Sequence, residues 1–421
     1  MNKNAPAKKK VIVVGGGFAG LNAVRSLDHK RFDILLIDRI NHHQFQPLFY
    51  QVATSQIEPT TISFPLRYIF RKDYEVKIRL AEVRSVDHHS KMLSTSIGEF
   101  TYDILILAMG ATTNFFGNDE LRKHAFTLKT TYDAIQIRNH ILQSFENLIN
   151  NPADESSKTI VLVGAGPTGV ELAGSFAEIR RDILPKDFHR LDFNQLRIIL
   201  IDGSANTLNA MSEASRKHSR KYLEELGVEI ITDTVVTSYD GNVITTNHGD
   251  TIPTHTVIWS AGVISNTIQG LPKECVGRGN RLKVDPYNEL INHPGIYVLG
   301  DMALMETSEH PSGHPQLANV AIQQAKNLAR NLNRSERGKS KRAYEFKDLG
   351  TMATIGRNKA VVDLPFVKFQ GFFAWFVWMF LHLMLILSVR NKLIIFLNWT
   401  SAYLTRNTAL RIILKGRETE K

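Results

Sequence analysis

The stretch VIVVGGGFAGLNAV, residues 11–24, decides the fold of this 421-residue chain. It joins a β-branched run, typical of a buried parallel strand, to a small-residue helix through the spacing Gly15-x-Gly17-x-x-Gly20. In such a turn the first glycine makes the bend, the second lets the backbone approach a pyrophosphate, and the third lets the helix pack closely on the strand. The sequence therefore predicts a dinucleotide-binding unit with phosphates at the helix N-terminus.

The same pattern returns later in the chain. Residues 159–174 read TIVLVGAGPTGVELAG, with the spacing Gly164-x-Gly166-x-x-Gly169. One such fingerprint is weak evidence, because a chance turn can match it. Two copies, each between a predicted strand and a predicted helix, indicate two dinucleotide sites. A resident flavin and a nicotinamide nucleotide form the pair that can exchange a hydride.

An acidic residue follows each glycine loop at the end of a second apolar run. FDILLID ends at Asp38, 23 residues after Gly15, and LRIILID ends at Asp202, 38 residues after Gly164. We expect residues 178–195 to lengthen the second connecting helix. Each aspartate is predicted to bind a ribose hydroxyl, although a helix cap or a turn is the alternative. No arginine directly follows Asp202, which favours NADH over NADPH.

Three further apolar runs, residues 101–114, 255–263 and 295–303, are predicted strands that end in small residues. The last of them ends in Gly300-Asp301. An aspartate just beyond a strand can accept a hydrogen bond from a flavin ribityl hydroxyl or cap the next helix, and we favour the flavin.

The charge of the chain is concentrated at its C-terminal end. The net charge is +10, and residues 364–417 contain no aspartate or glutamate. This region carries three of the four tryptophans and the basic residues Lys368, Arg390, Lys392, Arg406, Arg411, Lys415 and Arg417. Such a combination favours an anionic membrane surface as partner, and no basic face with base-stacking aromatics indicates nucleic acid.

Residues 371–389 form a run of 19 residues without formal charge. A buried core helix, a single spanning helix and a monotopic anchor at the membrane surface are all compatible with this length. We favour the monotopic anchor, because aromatic rings prefer the headgroup layer and because His382 and Ser388 interrupt the apolar run.

Composition excludes several kinds of site. Cys275 is the single cysteine, so the chain has no dithiol redox centre and no thiolate metal cluster. This argues against disulfide reductases and sulfide:quinone reductases. The histidines show no metal-ligand spacing, and no metal is predicted.

Taken together, these motifs closely resemble the type II NADH dehydrogenases, single-subunit NADH:quinone oxidoreductases among the flavoproteins with two dinucleotide-binding domains. The resemblance covers essentially the full chain. Besides both glycine loops, it is carried by PLFYQVA (47–53), GIYVLGD (295–301), ANVAIQ (318–323), GRNKAVVDL (356–364) and the basic aromatic tail.

The resemblance implies an α/β fold with two Rossmann-like dinucleotide-binding domains and a C-terminal membrane-anchoring helical region. We expect a discontinuous FAD-binding domain at residues 1–116 and 265–350. An NADH-binding domain is expected at residues 117–264, and the anchor at residues 351–421.

The resemblance also implies site residues. FAD is expected to contact Gly15, Gly16, Gly17, Phe18, Ala19, Gly20, Asp38, Arg39, Gln44, Val83, Asp301, Ala318, Asn319 and Lys359. NADH is expected to contact Gly164, Gly166, Gly169, Glu171 and Asp202.

Three residues are implied in catalysis: Glu171 near the reacting rings, Lys359 beside the flavin, and Gln323 on the quinone side. Each has a simpler interpretation. Glu171 could be an ordinary acid favoured by the helix dipole in the first turn, Lys359 a solvent-exposed loop lysine, and Gln323 a helix amide with protein hydrogen-bond partners. The family's quinone-side motif usually reads Ala-Gln-x-Ala-x-Gln, whereas Asn319 stands here at the first glutamine, one methylene shorter.

The implied activity is hydride transfer from NADH to FAD and then two-electron reduction of a membrane quinone, without proton pumping. A peripheral position on the cytoplasmic side of the inner membrane, lipid contact through residues 364–417 and a homodimer are expected. Alternatives are a flavin monooxygenase, a ferredoxin-reductase-like enzyme, or a membrane-tethered nucleotide sensor with little turnover.

Overall fold

A computed structural model describes residues 8–407 and 410–414 of the chain. These residues divide into two compact units. Unit 1 contains residues 8–43, 64–112 and 263–348, and unit 2 contains residues 44–63, 113–262 and 349–407 with 410–414.

The helices are, in chain order, α1 (Phe18–Ser26), α2 (Phe49–Ala53), α3 (Leu66–Ile69), α4 (Asp119–His124), α5 (Thr131–Asn150), α6 (Pro167–Asp182), α7 (Leu184–Asp187), α8 (Glu213–Glu225), α9 (Ala318–Ser335), α10 (Phe372–Leu385) and α11 (Val389–Thr405). Short 3₁₀ turns lie at Gln46–Leu48, Pro59–Thr61, Glu155–Lys158, Phe193–Gln195, Lys273–Cys275, Arg278–Asn280 and Gly300–Met302.

The strands are β1 (Lys9–Val14), β2 (Phe32–Asp38), β3 (His42–Gln44), β4 (Ser63–Pro65), β5 (Val76–Leu80), β6 (Val83–Asp87), β7 (Met92–Thr95), β8 (Gly98–Thr101), β9 (Ile104–Leu107), β10 (Ala111–Thr113), β11 (Thr159–Val163), β12 (Arg197–Ile201), β13 (Glu229–Ile231), β14 (Val236–Tyr239), β15 (Val243–Thr246), β16 (Thr251–Pro253), β17 (Thr256–Trp259), β18 (Val263–Ser265), β19 (Leu282–Lys283), β20 (Ile296–Val298), β21 (Ala303–Leu304), β22 (Thr351–Thr354), β23 (Ala360–Asp363) and β24 (Lys368–Gln370).

Unit 1 is built on a parallel sheet in the order β20-β9-β1-β2-β5. The central strand β1 is buried from Val11 to Val14, as expected for a strand covered on both faces. Helices α1 and α9 pack on each other in this unit. A small antiparallel sheet, β6-β7-β8, and a pair of strands, β19-β21, also lie in this unit.

Unit 2 repeats the plan with a parallel sheet in the order β13-β12-β11-β17. Strand β11 is buried along its whole length, and helix α6 follows it directly. An antiparallel sheet, β14-β15-β16, lies in the same unit. A third sheet, β22-β23-β24, contacts α6, α8 and α10.

The compact units differ from the predicted domains by a few residues at 113–116 and 263–264 and by longer segments at two places. Residues 44–63 group with unit 2, because α2 packs on α5 and α6, whereas we assigned them to the FAD-binding domain. Residues from 349 onward also group with unit 2, because the sheet β22-β23-β24 packs there. The three-part functional division itself stays a prediction.

The predicted lengthening of the connecting helix through residues 178–195 is wrong. Helix α6 ends at Asp182, and a separate short helix, α7, follows with Pro185 in its first turn. Proline has no N–H to donate and clashes with the preceding turn, so the first helix cannot continue through it.

The apolar run 371–389 is divided between two helices. α10 ends at Leu385, and Ile386 and Ser388 have extended backbones before α11 begins. Among the described residues, no helix combines the length and the apolar character needed to cross a bilayer. Of the predicted basic residues, Lys415 and Arg417 lie outside the described part of the chain, as do residues 1–7 of the predicted FAD-binding domain.

The third glycine of each loop is where helix and strand come closest. A Cβ atom on Gly20 would lie 1.8 Å from the carbonyl oxygen of Gly15, and one on Gly169 would lie 1.9 Å from that of Gly164. No side chain fits at either position. The sequence pattern therefore reflects a steric requirement of the backbone.

This geometry predicts different outcomes for two alanine substitutions in the second loop. Gly169→Ala places a methyl group against a backbone oxygen and should lower the free energy of unfolding by about 3 kcal/mol. Gly166→Ala should change it by less than about 0.5 kcal/mol, because nothing lies within 4 Å of a Cβ atom placed there and its φ is −71°. Urea unfolding followed by circular dichroism measures both, and equal losses would contradict the steric explanation.

Candidate functional site

The two glycine loops have nearly the same backbone geometry. Gly15 has a φ of 101° and Gly164 a φ of 105°, in the region that favours glycine. Their N–H groups donate to the carbonyl oxygens of Ile37 and Ile201, at the ends of the neighbouring strands, each at 2.8 Å. The repeat seen in the sequence is thus a repeat in three dimensions.

The second glycine of each loop leaves an open position. Gly17 and Gly166 are the N-caps of α1 and α6, neither helix has a side-chain cap, and no atom lies within 4 Å of a Cβ built on either glycine. Uncapped N–H groups and the positive end of the helix dipole attract phosphate. Both loops therefore fit the pyrophosphate of a dinucleotide, with Gly16, Phe18 and Ala19 completing the first loop.

The predicted ribose acids bind their own glycine loops. Asp38 Oδ2 accepts the Gly16 N–H at 2.5 Å, and Asp202 Oδ2 accepts the Ala165 N–H at 2.5 Å. The other oxygen of Asp202 accepts the Ser204 N–H at 2.7 Å. Each carboxylate is therefore fixed beside the open glycine by main-chain donors.

Burial raises the pKa of Asp38, and hydrogen bonds from main-chain N–H groups oppose this effect. The neighbouring Arg39 is exposed and favours the charged form of Asp38 through its own charge. Val83 begins strand β6 and is half-buried. These placements fit an adenosine site.

Asp301 lies in the 3₁₀ turn that follows β20. Its carbonyl oxygen accepts a hydrogen bond from Gln316 Nε2 at 3.0 Å. The preceding residue, Gly300, donates its N–H to Gln324 Oε1 at 2.8 Å, and Gln324 is fully buried. Gln324 thus holds the turn, a role that sequence reasoning missed because the residue lies one position beyond the recognised motif.

The predicted quinone-side amides bind protein groups. Gln323 Nε2 donates to the Lys347 carbonyl at 2.8 Å, and Gln323 Oε1 accepts the Lys347 N–H at 3.0 Å. Gln323 also donates to Asn319 Oδ1 at 2.5 Å. Both residues lie on the first turns of α9, which begins at Ala318. The amides of Gln323 and Asn319 therefore already have protein hydrogen-bond partners, as the simpler interpretation of a satisfied helix amide expects.

Glu171 is a buried carboxyl on α6, 8% exposed. Its Oε1 accepts the Thr354 N–H at a long 3.4 Å. The indole N–H of Trp378 lies within reach but makes no hydrogen bond of good geometry. Burial raises the pKa of Glu171 to about 8, while the Thr354 and Trp378 N–H groups oppose the shift. Glu171 is therefore largely protonated at neutral pH.

A cavity in unit 2, with about 100 Å³ of space for water-sized molecules, adjoins these partners of Glu171. Thr354 and Trp378 line it together with Ser175 and the rings of Trp375 and Tyr403. We call it the α6 cavity.

A chain of polar groups crosses one wall of the α6 cavity. Trp399 Nε1 donates to Gln51 Oε1 at 2.8 Å, and Gln51 Nε2 donates to the Tyr50 hydroxyl at 3.0 Å. Elsewhere in its lining, Glu178 accepts the Arg357 N–H at 2.5 Å, and burial raises the pKa of Glu178. Sequence reasoning missed these residues, although Tyr50 and Gln51 lie in the quoted motif PLFYQVA.

Lys359 and Gln44 are already engaged in unit 2. Lys359 Nζ pairs with Glu225 on α8 at 2.5 Å. Gln44 Oε1 accepts the Thr131 N–H at 2.5 Å, at the start of α5. The Lys359 ammonium therefore has a protein partner, and its role beside a flavin stays a prediction.

Comparisons with known proteins agree with this arrangement. Residues 9–325 match the family described as Pyridine nucleotide-disulphide oxidoreductase, and residues 349–407 match the NDH2 C-terminal domain. The type II NADH:quinone oxidoreductase Ndh of Mycobacterium tuberculosis is 35% identical, over 97% of this chain and 91% of that protein.

The chain belongs to the type II NADH:quinone oxidoreductase family. The relative from Staphylococcus aureus is 27% identical, over 85% of this chain and 90% of its own length. Among solved structures, NDH2 from Plasmodium falciparum in complex with NADH has a TM-score of 0.88 at 22% identity, covering 97% of this chain and 100% of that one. That likeness shows the fold.

Family membership confirms the resemblance drawn from the sequence, the two-dinucleotide α/β fold and the enzyme class. It also confirms NADH:quinone oxidoreductase activity and the cofactors FAD and NADH at the level of the family. The site residues and domain boundaries stay predictions.

The raised pKa of Glu171 predicts a dependence of stability on pH. The folded form holds this proton more tightly than the unfolded form, whose ordinary pKa is near 4.5. The contribution of Glu171 to stability is therefore fully present below about pH 4.5 and is lost as the pH rises toward 8. Across that window, Glu171→Gln should gain up to about 5 kcal/mol in free energy of unfolding relative to wild type.

Urea unfolding of the FAD-loaded protein at several pH values measures this difference. Glu99→Gln, at an exposed position on β8, serves as the matched control and should run parallel to wild type. A constant difference between Glu171→Gln and wild type from pH 5 to 8 would mean that Glu171 is not buried as a neutral acid.

Proposed function

We propose that this chain oxidises NADH and delivers the electrons, through bound FAD, to a quinone dissolved in a membrane. The observation that carries the proposal is the buried, protonated Glu171 on the helix of the second glycine loop, with partners that line the aromatic α6 cavity. FAD, when bound, supplies the hydride acceptor and the electron relay. The resemblance implies that no protons are pumped.

The first glycine loop is proposed to hold FAD. Gly17 and the uncapped first turn of α1, with Gly15, Gly16, Phe18, Ala19 and Gly20, would bind the pyrophosphate. Asp38 would bind a ribose hydroxyl, with Arg39 and Val83 beside the adenosine, and Asp301 would bind the ribityl chain. Four further contacts stay proposed: Ala318, Asn319, Gln44 and Lys359. The polar groups of the last three already bind protein groups.

The second glycine loop is proposed to hold NADH. The open position at Gly166 admits the pyrophosphate, while Gly164 and Gly169 shape the turn. Asp202 would accept hydrogen bonds from ribose hydroxyls, and its charge would repel the extra phosphate of NADPH.

Glu171 is proposed to store the proton that quinone reduction consumes. A carboxyl with a pKa of about 8 is protonated at neutral pH and can release its proton to a reduced quinone oxygen without a large free-energy difference. The Thr354 and Trp378 N–H groups stabilise the carboxylate that remains. Reprotonation from solvent then restores the acid.

We propose the α6 cavity as the place where the quinone enters. Its aromatic lining comes from α10 and α11, and aromatic side chains are suited to contact with a quinone ring. Gln51 and Tyr50 offer hydrogen-bonding groups on one wall. This cavity is proposed in addition to the quinone-side residues Gln323 and Asn319, whose amides are hydrogen-bonded to Lys347.

A two-step anaerobic experiment tests the proposal. NADH should bleach the flavin absorbance near about 450 nm, and a soluble quinone should restore it. In Ala402→Phe, which places a ring in the α6 cavity, bleaching by NADH should keep its rate, whereas reoxidation by quinone should slow at least about tenfold.

Ala214→Phe, which adds the same ring at an exposed position on α8, should behave as wild type. Protein that binds FAD but is not bleached by NADH would overturn the proposed activity. Equal reoxidation rates in all three proteins would remove the α6 cavity from the quinone path but leave the activity standing.

The outer face of α10 and α11 is proposed to bind the membrane. Exposed apolar side chains cover it: Phe372, Phe373, Phe376, Phe380, Leu381, Met384, Leu385, Val389, Leu393, Phe396, Leu397 and Leu404. The exposed basic residues Lys368, Arg390 and Arg406 suit an anionic lipid surface. The resemblance further implies the cytoplasmic side of the inner membrane and a homodimer, and both stay proposals.

Replacing two of these rings by carboxylates should weaken membrane binding. Phe376 and Phe380 lie one helical turn apart and are each about half exposed. The double variant Phe376→Asp, Phe380→Asp should bind vesicles containing phosphatidylglycerol at least about tenfold more weakly, because it loses apolar burial and gains repulsive charge. Ile97→Asp, at an exposed apolar position in unit 1, is the control. Unchanged sedimentation of the double variant with vesicles would contradict the proposed face.

A further inference from the structure

Arg281 is a buried cation beside the turn that carries Asp301. It directly precedes strand β19 and is 8% exposed. Its Nε and Nη2 groups donate to the Ala303 carbonyl oxygen at 3.0 and 2.5 Å, and Nη2 also donates to the His314 carbonyl oxygen at 2.8 Å. Both acceptors are neutral, so these hydrogen bonds hold the guanidinium in place without cancelling its charge.

The loop before α9 passes closely over this guanidinium. A Cβ atom on Gly313 would lie 3.1 Å from Arg281 Nη1 and 2.6 Å from a methyl carbon of Leu304. The φ of Gly313 is 79°, in the region that favours glycine. The backbone of the loop therefore covers the Arg281 side chain at a position where a larger residue would displace it.

The charge of Arg281 acts together with that of Asp301. Burial lowers the pKa of Arg281, and the Asp301 carboxylate opposes that shift. Because the attraction between two charges is mutual, Arg281 favours the ionised form of Asp301. Burial lowers the pKa of the neighbouring His314 to about 4, and positive charge on His310 and Arg281 acts in the same direction. His314 is therefore neutral at neutral pH and adds no second cation.

The charge is more than the turn needs for its backbone. Gln324 and Gln316 hold the turn Gly300–Met302 through main-chain groups, and both are neutral amides. A buried charge costs free energy that a neutral hydrogen-bond donor does not. The positive charge of Arg281 therefore points to a function in addition to holding Ala303.

We propose that Arg281 is a positioning residue for FAD. It orients the Asp301 turn and keeps the Asp301 carboxylate ionised, so that Asp301 can accept hydrogen bonds from the ribityl hydroxyls. A carboxylate accepts stronger hydrogen bonds than a neutral acid and offers both of its oxygens. This inference rests on the proposed contact between Asp301 and FAD, and it adds a residue that the family resemblance did not imply.

Loss of FAD from the diluted holoenzyme, followed by flavin fluorescence, measures this role. Arg281→Met removes the charge and the donors and should release FAD at least about tenfold faster than wild type, as expected for the loss of charge-assisted hydrogen bonding. Arg278→Met, at an exposed position three residues earlier, is the matched control and should release FAD as wild type does. Release at the wild-type rate from Arg281→Met would overturn the proposal.

A double-mutant cycle separates this role from a general loosening of the fold. If Arg281 acts through Asp301, Arg281→Met should accelerate FAD release much less in an Asp301→Asn background than in wild type. A purely structural role predicts the same factor in both backgrounds, and equal factors would overturn the proposal.

Asp301→Asn alone should also release FAD at least about tenfold faster than wild type. Release at the wild-type rate from this variant would overturn the role of Arg281 but leave the proposed activity standing, because bleaching by NADH and reoxidation by quinone are measured on wild type. Wild-type protein that binds no FAD would instead overturn the proposed activity itself.

Arg281→Lys separates the charge from the guanidinium fork. Lysine keeps the positive charge but lacks the planar fork that spans two carbonyl oxygens. It should release FAD at a rate between those of wild type and Arg281→Met, and it replaces Arg281→Met in the cycle if that variant does not fold. Release as fast as from Arg281→Met would show that the charge contributes nothing and would overturn the proposal.

Discussion

The structure depends on a steric constraint that is repeated in both units. In both units a helix begins immediately after a parallel strand, and its third residue packs against the connecting turn. This arrangement leaves no room for a side chain on that residue. At Gly20 and Gly169, a carbonyl oxygen occupies the space where a Cβ atom would stand. Because the helix starts so close to the strand, its uncapped N–H groups and the aspartate of the next strand converge at one point. The two proposed nucleotide sites follow from this contact.

A second constraint lies in the packing of the C-terminal sheet on α6. A Cβ atom on Gly174 would lie 2.9 Å from the Gly356 nitrogen, so the helix and the loop after β22 meet backbone to backbone. This close contact brings Thr354 to Glu171 and Arg357 to Glu178. Two acids on one helix are thereby removed from water, and their raised pKa values follow from that burial. The C-terminal segment therefore helps to set the protonation of the site as well as carrying the proposed membrane face.

The sequence predicted the parts of the site that are built from short-range pattern. Both glycine loops, the strands beside them and the aspartates at strand ends lie within one βαβ unit each, where spacing translates directly into geometry. Glu171, two positions after the second loop, was implied by the family resemblance, and its role in the site stays a prediction. Its surroundings were not predicted, since Thr354 and Trp378 are about two hundred residues away and no periodicity marks them.

Other differences have similar physical origins. Gln323 and Lys359 have the residue types that the family resemblance implies. In the structure, however, Gln323 is hydrogen-bonded to Lys347 and Lys359 is paired with Glu225. A sequence does not show such long-range partners. The connecting helix stops because Pro185 cannot continue it, and this local signal outweighs helical periodicity. In the sequence, Arg138 looks like an ordinary polar residue of an amphipathic helix. Only the structure shows that its side chain is buried and that two of its nitrogen atoms have no hydrogen-bond partner among the described residues.

The bonds from Asp38 and Asp202 to their own glycine loops bear on how each cradle behaves between occupants. A carboxylate already held by main-chain N–H groups is not stranded when a ribose departs. If Asp202 binds a ribose as proposed, its hydrogen bond to the loop would persist in the empty site, so the next nucleotide would meet the same arrangement. For a co-substrate that is exchanged in every catalytic cycle, a carboxylate that keeps its main-chain hydrogen bonds would let the nucleotide leave without a rearrangement that limits the rate of turnover.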